Sequence, residues 1–184
     1  MPFIDLVNPD VSFDFLGGFF LAVFRRQKWL QHVGVLDAQA IDDPREFSHY
    51  DNTFPHVKIF ASAFADSQAY FHAEPLSVCL TGAREWSPMY PLVHGVRLVE
   101  SLQEFRRHGL PYWRYLRCRN YALNNFAADF ALLLLHRHES GLAYVNPLKL
   151  IVQNCLFPNF YLSVLYYCGR RLKRFFRQAR GNSE

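Results

Sequence analysis

Through most of this chain apolar residues recur at helical spacing, and in a few short runs they follow one another without a break. Phe54, Val57, Phe60, Ala61 and Phe64 fall on one side of a predicted helix from Phe54 to Phe64. Asn52 or Thr53 can cap that helix, and Pro55 suits its first turn, where a backbone N–H would have no partner anyway. Leu92, Val96, Val99, Leu102 and Phe105 repeat the spacing. Arg106, Arg107 and His108 suit the negative end of that helix, and Gly109 with Pro111 stops it. A further helix is predicted over Tyr112 to His138, ending before Gly141, and a third begins near Pro147.

The unbroken runs read differently. Phe15 to Phe24 is short and aromatic, with Gly17 and Gly18 inside it, and predicts a buried strand with a glycine bend. Trp29 and Leu30 start a short helical or irregular stretch. Ala69 to His72 and Leu76 to Leu80 predict two short strands parted by Glu74-Pro75. Asp37 to Tyr50 and Thr81 to Pro88 predict loops. The pattern therefore predicts an α+β chain. Residues 1–90 hold short strands and one helix, residues 91–184 are helical with a basic amphipathic tail, and the two pack as one unit. No internal repeat, low-complexity segment or linker interrupts it.

The 184 residues are enough to bury a core. With 51% hydrophobic and 17% aromatic residues, disorder is excluded, and an aromatic core or an apolar docking surface is expected. The net charge of +4 is unevenly placed, since Arg170, Arg171, Lys173, Arg174, Arg177 and Arg180 cluster with no acid among them. Cys79, Cys118, Cys155 and Cys168 are far apart in apolar settings, which predicts reduced core thiols and, weakly, a cytoplasmic setting. Asp5, Asp10 and Asp14 precede the first apolar run and Arg25-Arg26 follow it, the reverse of a signal peptide. No single membrane-crossing helix is predicted.

Candidate chemistry centres on His56. The positive end of a helix disfavours imidazolium, so a first-turn histidine stays neutral and can accept a proton from a hydroxyl. The same placement equally suits a helix cap or a pairing with Asp51. Asp42-Asp43, the one aspartate pair, reads as loop acid because no strong strand delivers it to a strand end. His136 and His138 point to different sides of a helix and make a poor metal pair. There is no Gly-rich phosphate cradle, no nucleophile elbow, and no aromatic-basic platform for nucleic acid.

Several segments resemble, in order, family 2 glycosyltransferases of the abequosyltransferase-like type, which act in bacterial O-antigen and surface-polysaccharide assembly. Phe15 to Trp29 resembles their strand, basic pair and tryptophan. Asn52-Thr53-Phe54-Pro55-His56-Val57 resembles their aromatic-Pro-His-Val helix start, and Glu74-Pro75-Leu76-Ser77-Val78-Cys79 one of their strands. The likeness spans roughly residues 12–90 and implies the acceptor-side, C-terminal half of a GT-A fold. It implies transfer of a sugar from a nucleotide diphosphate to a glycan or lipid-linked acceptor, with His56 or Asp51 as the base. Arg84 would neutralise charge on the leaving diphosphate, or else is a solvated loop arginine. Trp86 would stack on a sugar or base, or else packs beside Pro88. The donor half, with its aspartate pair, is not recognisable here. The complete enzyme would need Mg²⁺ or Mn²⁺, whereas this part would bind no cofactor alone and would need a separately supplied donor half.

The tail allows a second, non-catalytic reading as a membrane-peripheral binding or scaffold protein. Arg170, Arg171, Lys173, Arg174, Phe175, Phe176 and Arg177 mix bases with rings, a pattern that suits an anionic bilayer surface at about 1 kcal/mol per base. The implied location is the cytoplasmic face of a bacterial inner membrane.

Overall fold

A computed structural model describes residues 1–11, 23–72, 74 and 87–181. It corrects the expected α+β class. The structure is 68% helical, and among the described residues there is no strand, so the fold is all-α. Ala69 to His72 shows why. Its neighbourhood pairs only with the chain start, through a single antiparallel bridge between Pro2 and Gln68 and the bond from the Ala69 N–H to the Met1 carbonyl (2.8 Å). Beyond that Tyr70 lies open to solvent, and among the described residues the segment has no second neighbour with which to make a sheet. Most of the predicted strand Phe15 to Phe24, and all of Leu76 to Leu80, lie outside the described residues.

After a 3₁₀ turn at Phe3–Leu6 come α1 (Arg26–Gln31), α2 (Ala38–Ile41), α3 (Tyr50–Thr53) and α4 (Pro55–Phe64). The expected polar loop, Asp37 to Tyr50, thus contains one short helix, α2, and runs at its last residue into another, α3. Asp37 caps α2 by accepting from the N–H groups of Gln39 and Ala40. Pro55 sits in the first turn of α4, and Val57, Ile59, Phe60, Ala61, Ala63 and Phe64 are buried along it.

Next, α5 (Tyr90–Leu92) runs through a π-helical segment, Val93–Arg97, into α6 (Leu98–Arg107). Gly109 ends α6 at φ +100°, where the Leu110 N–H bonds back to the Phe105 carbonyl (3.0 Å) and Leu110 itself is fully buried. That is a left-handed glycine stop with its hydrophobic contact. The predicted long helix is divided into α7 (Tyr112–Ala122) and α8 (Phe126–Leu135), because Asn124 and Asn125 favour a turn over a helix interior. Asn146 caps α9 (Pro147–Asn154), and α10 (Pro158–Gly181) begins at Pro158.

Two apolar clusters hold these helices. The first joins the N-terminal turn, α4, α6 and α7, and so crosses residue 90. Phe3, Phe24, Trp29, Phe60, Phe64 and Phe105 meet in it with ring centroids 4.8–6.2 Å apart. The second joins α5, α8 and α9 through Leu92, Leu123, Phe126, Leu133 and Leu150, with Phe157 and Phe160 against it.

Residues 150–169 carry no charged side chain, a stretch of twenty. Yet α9 and α10 meet at 115°, so no single described helix is long and apolar enough to cross a membrane, and only the bent pair has the length and composition.

Candidate functional site

The sequence placed its chemistry around α4. His56 is half-buried there, its ring edge-on to Phe54 (5.9 Å) and Phe60 (6.5 Å). Asp51 lies on α3 and is buried. Its Oδ2 accepts from Lys58 Nζ and from the Asp37 backbone N–H, each at 2.7 Å. The carboxylate therefore ties α3, α4 and the capped start of α2 together, with a cation and an amide on one of its two oxygens. Arg84 and Trp86 lie outside the described residues. Asp43, the loop acid, holds Arg45 bidentately and also accepts from Ser48 Oγ (3.0 Å). The Arg45 side chain and backbone N–H keep its carboxyl well below the usual carboxylate range.

The fold also creates a pairing that sequence spacing did not reveal. His94 in the π segment places Nδ1 2.9 Å from Oδ2 of Asp129 on α8, and Tyr90 stacks on the imidazole at 5.6 Å. Among the described residues no hydroxyl or thiol hydrogen-bonds the other ring nitrogen. Its visible role is to join α5 to α8. No group of three or more His, Cys, Asp or Glu is placed to hold a metal among the described residues.

Arg97 makes the other conspicuous polar join. It is buried, donates from Nε to the Phe47 carbonyl (3.0 Å), from Nη2 to the Ser48 carbonyl and from Nη1 to Glu100 (2.8 Å). These bonds hold Phe47 at φ +57°, the sole non-glycine residue at positive φ among the described residues.

The α10 helix is built on another plan. Its first turns are anchored: Asn159 bonds Asn120 and Asn124, Ser163 Oγ accepts from the Ala127 N–H (3.3 Å), and Phe160 packs on Phe126 (4.9 Å). Ser163 is buried, while nearly every later residue of α10 is exposed. Tyr161, Leu165, Cys168, Leu172, Phe175 and Phe176 keep i, i+3/i+4, i+7 spacing and form one stripe. At 100° per residue that stripe lies on the side away from Ser163. Leu165 is 69% exposed, Phe175 66% and Phe176 62%. Arg170, Arg171, Lys173, Arg174 and Arg177 occupy the remaining arc. From Val164 to Gly181 the helix runs about 27 Å at 1.5 Å per residue.

On α9, Leu148 and Val152 are exposed one turn apart, and Leu156 in the elbow is 89% exposed. Cys118 is a core thiol, whereas Cys155 is half-buried and Cys168 lies exposed on α10, so the expectation of core thiols holds only for Cys118, and Cys79 lies outside the described residues. The mix of bases and rings from Arg170 to Arg177 was legible in the sequence, but the stripe from Tyr161 to Phe176 and its outward orientation were not.

No protein-family model, curated protein or solved structure matches this chain.

Proposed function

We propose that this protein docks peripherally on anionic membranes, with α10 lying in the lipid interface. One observation carries the reading: a stripe of large apolar side chains turned away from the bundle on a helix whose other exposed arc is basic. Water gives such a stripe no partner, whereas an anionic bilayer satisfies both arcs at once, rings in the headgroup–acyl boundary and bases at the phosphates. Stacking supports the arrangement. The Arg170 guanidinium lies 5.6 Å over the Tyr166 ring and that of Arg171 5.3 Å over Tyr167, so base and ring form one surface. The cytoplasmic leaflet, with its anionic lipid, is the surface this chemistry suits.

Sugar transfer has no observation in the fold that favours it. The strand core it requires is not present among the described residues, and Asp51 is engaged by Lys58 and the Asp37 amide. Membrane docking is the reading that the exposed surfaces support.

Vesicle flotation tests it. The full chain should float with vesicles containing phosphatidylglycerol and remain behind with neutral phosphatidylcholine. Removing residues 170–184 deletes six bases, and at about 1 kcal/mol each this should weaken binding by roughly 10⁴-fold. Equal binding to neutral vesicles, or no binding by the full chain, would sink the proposal.

A further inference from the structure

A cleft of about 190 Å³ opens between the start of α8 and the middle of α10. Arg170, Arg171 and Arg174 line it from α10, facing Asn124, Asn125 and Ala128 across it, and none of its lining residues carries a carboxylate. Two of the three guanidiniums are positioned by tyrosines four residues earlier. Arg171 donates to the Tyr167 hydroxyl from Nε (3.1 Å) and Nη2 (2.9 Å), and Arg170 stacks on Tyr166. Because Tyr167 Oη already accepts from Arg171, its own proton is left to donate. Asn125 stands at the N-cap of α8 without a side-chain bond to that helix, so its amide is not spent on capping. The cleft is therefore rich in donors, carries up to three formal positive charges, and meets the positive end of a ten-residue helix. These features converge on one doubly charged oxyanion rather than on a diffuse field of lipid.

We propose that this cleft binds a phosphomonoester group. Arginine forks match the oxygens of phosphate bidentately, and a dianion is the charge that three guanidiniums and no carboxylate favour. The group can arrive as a lipid headgroup of the phosphatidic-acid type, or on a small soluble phosphomonoester. The lipid form rests on the membrane reading above, whereas the soluble form does not.

The test compares vesicles of phosphatidic acid with vesicles of phosphatidylserine, matched for surface potential, and adds glycerol 3-phosphate titrated against the full chain by calorimetry. The expected result is a roughly ten-fold preference for phosphatidic acid, the factor that corresponds to about 1.4 kcal/mol. Ala128→Leu fills the cleft without changing charge, and should remove that preference while leaving binding to phosphatidylserine intact. Asn125→Ala, a second and milder variant, should reduce it, and circular dichroism confirms that both variants remain folded. Equal binding to the two lipids by the full chain, with no heat from glycerol 3-phosphate, overturns the phosphomonoester site and leaves the membrane reading standing. Binding of glycerol 3-phosphate that Ala128→Leu abolishes, in a chain that floats with neither lipid, keeps the site and removes the membrane reading. A phosphatidic-acid preference unchanged in both folded variants also overturns the site.

Discussion

The body around α4 and α6 and the limb formed by α9 and α10 use the same residue types in opposite ways. In the body, the buried charges have named partners: Asp51 with Lys58, Arg97 with the Phe47 and Ser48 carbonyls and Glu100, Glu104 with Arg107 and His108. The rings meet one another, as Phe60 does with Phe24 and Trp29. In the limb, the rings of Phe175 and Phe176 point outward and the bases stand beside them without a single acid. The contrast teaches where this molecule is complete. The body satisfies itself, whereas the limb presents apolar area and positive charge that only an outside surface can satisfy together.

The strongest way to break the body is Arg97→Ala. Removing a buried guanidinium strands two loop carbonyls and leaves Glu100 without its cation, which should cost about 3–5 kcal/mol in urea unfolding. Because Phe47 is held at positive φ by these bonds, the loop should also exchange amide protons faster. Arg97→Lys, which keeps charge but not the fork, should recover only part of the loss. Unchanged stability in Arg97→Ala would show that the polar joins are incidental to the body.

Alkali tests the same interior. Burial, partly opposed by Arg114 and Arg117, pushes the Cys118 thiol from its ordinary value near 9 up to about 11. The folded value exceeds the unfolded one, so the fold favours the protonated thiol. Its contribution is whole below pH 9 and is lost as the pH climbs to 11, where the unfolded chain holds fewer protons. The loss should reach about 2–3 kcal/mol. The buried Tyr50 phenol, also raised by burial, acts in the same direction from about pH 10 upward. Urea midpoints should therefore fall between pH 9 and 11, and the Cys118→Ser variant should fall less. A flat profile in the unaltered protein would refute this account of the core.

On the limb, replacing both rings by Phe175→Ser and Phe176→Ser removes interfacial burial worth about 2 kcal/mol together, or roughly 30-fold in vesicle partitioning. Both side chains are exposed, so unfolding stability should not change. Loss of stability instead would mean that the stripe packs within the molecule, and the contrast between body and limb would fail.

How much of this could be read from the residues alone depends on what decides each feature. The first-turn place of Pro55 in α4 and the stop of α6 at Gly109 were legible, since local chemistry fixes both. The cap expected from Asn52 or Thr53 is not made: both lie in α3, and Phe54 stands at the N-cap of α4 without a side-chain bond. The strand expected at Ala69 to His72 was misread because a short apolar run has no period to separate a strand from buried helix or extended chain, and only the lack of a second neighbour among the described residues decides. The joining of His94 to Asp129 was invisible, as 35 residues separate them and no spacing rule links α5 to α8. Asp51 was recognised as a special acid, but its engagement by Lys58 and the Asp37 amide depends on tertiary placement. The basic and aromatic composition of α10 was plain, whereas the direction of its stripe required the anchoring contacts of Asn159 and Ser163.

The smallest expected effect asks how far the limb extends. Leu148 and Val152 are exposed on α9, and Leu156 stands open in the 115° elbow before α10. The charge-free stretch from Leu150 to Gly169 spans that elbow, so both arms have the composition to meet lipid. Leu148→Ser changes one exposed apolar side chain at the first turn of α9, where Pro147 and the Asn146 cap already fix the backbone. Its effect on stability should be within about 0.5 kcal/mol. If α9 shares the interface, partitioning onto anionic vesicles should weaken by roughly five-fold, the factor for about 1 kcal/mol of lost burial. A fluorophore on the exposed Cys168 of α10 should meanwhile shift to the blue on vesicles in either case, because α10 carries the docking. Unchanged partitioning in Leu148→Ser would confine the membrane-facing surface to α10, with the elbow turning the α9 arm away from the bilayer.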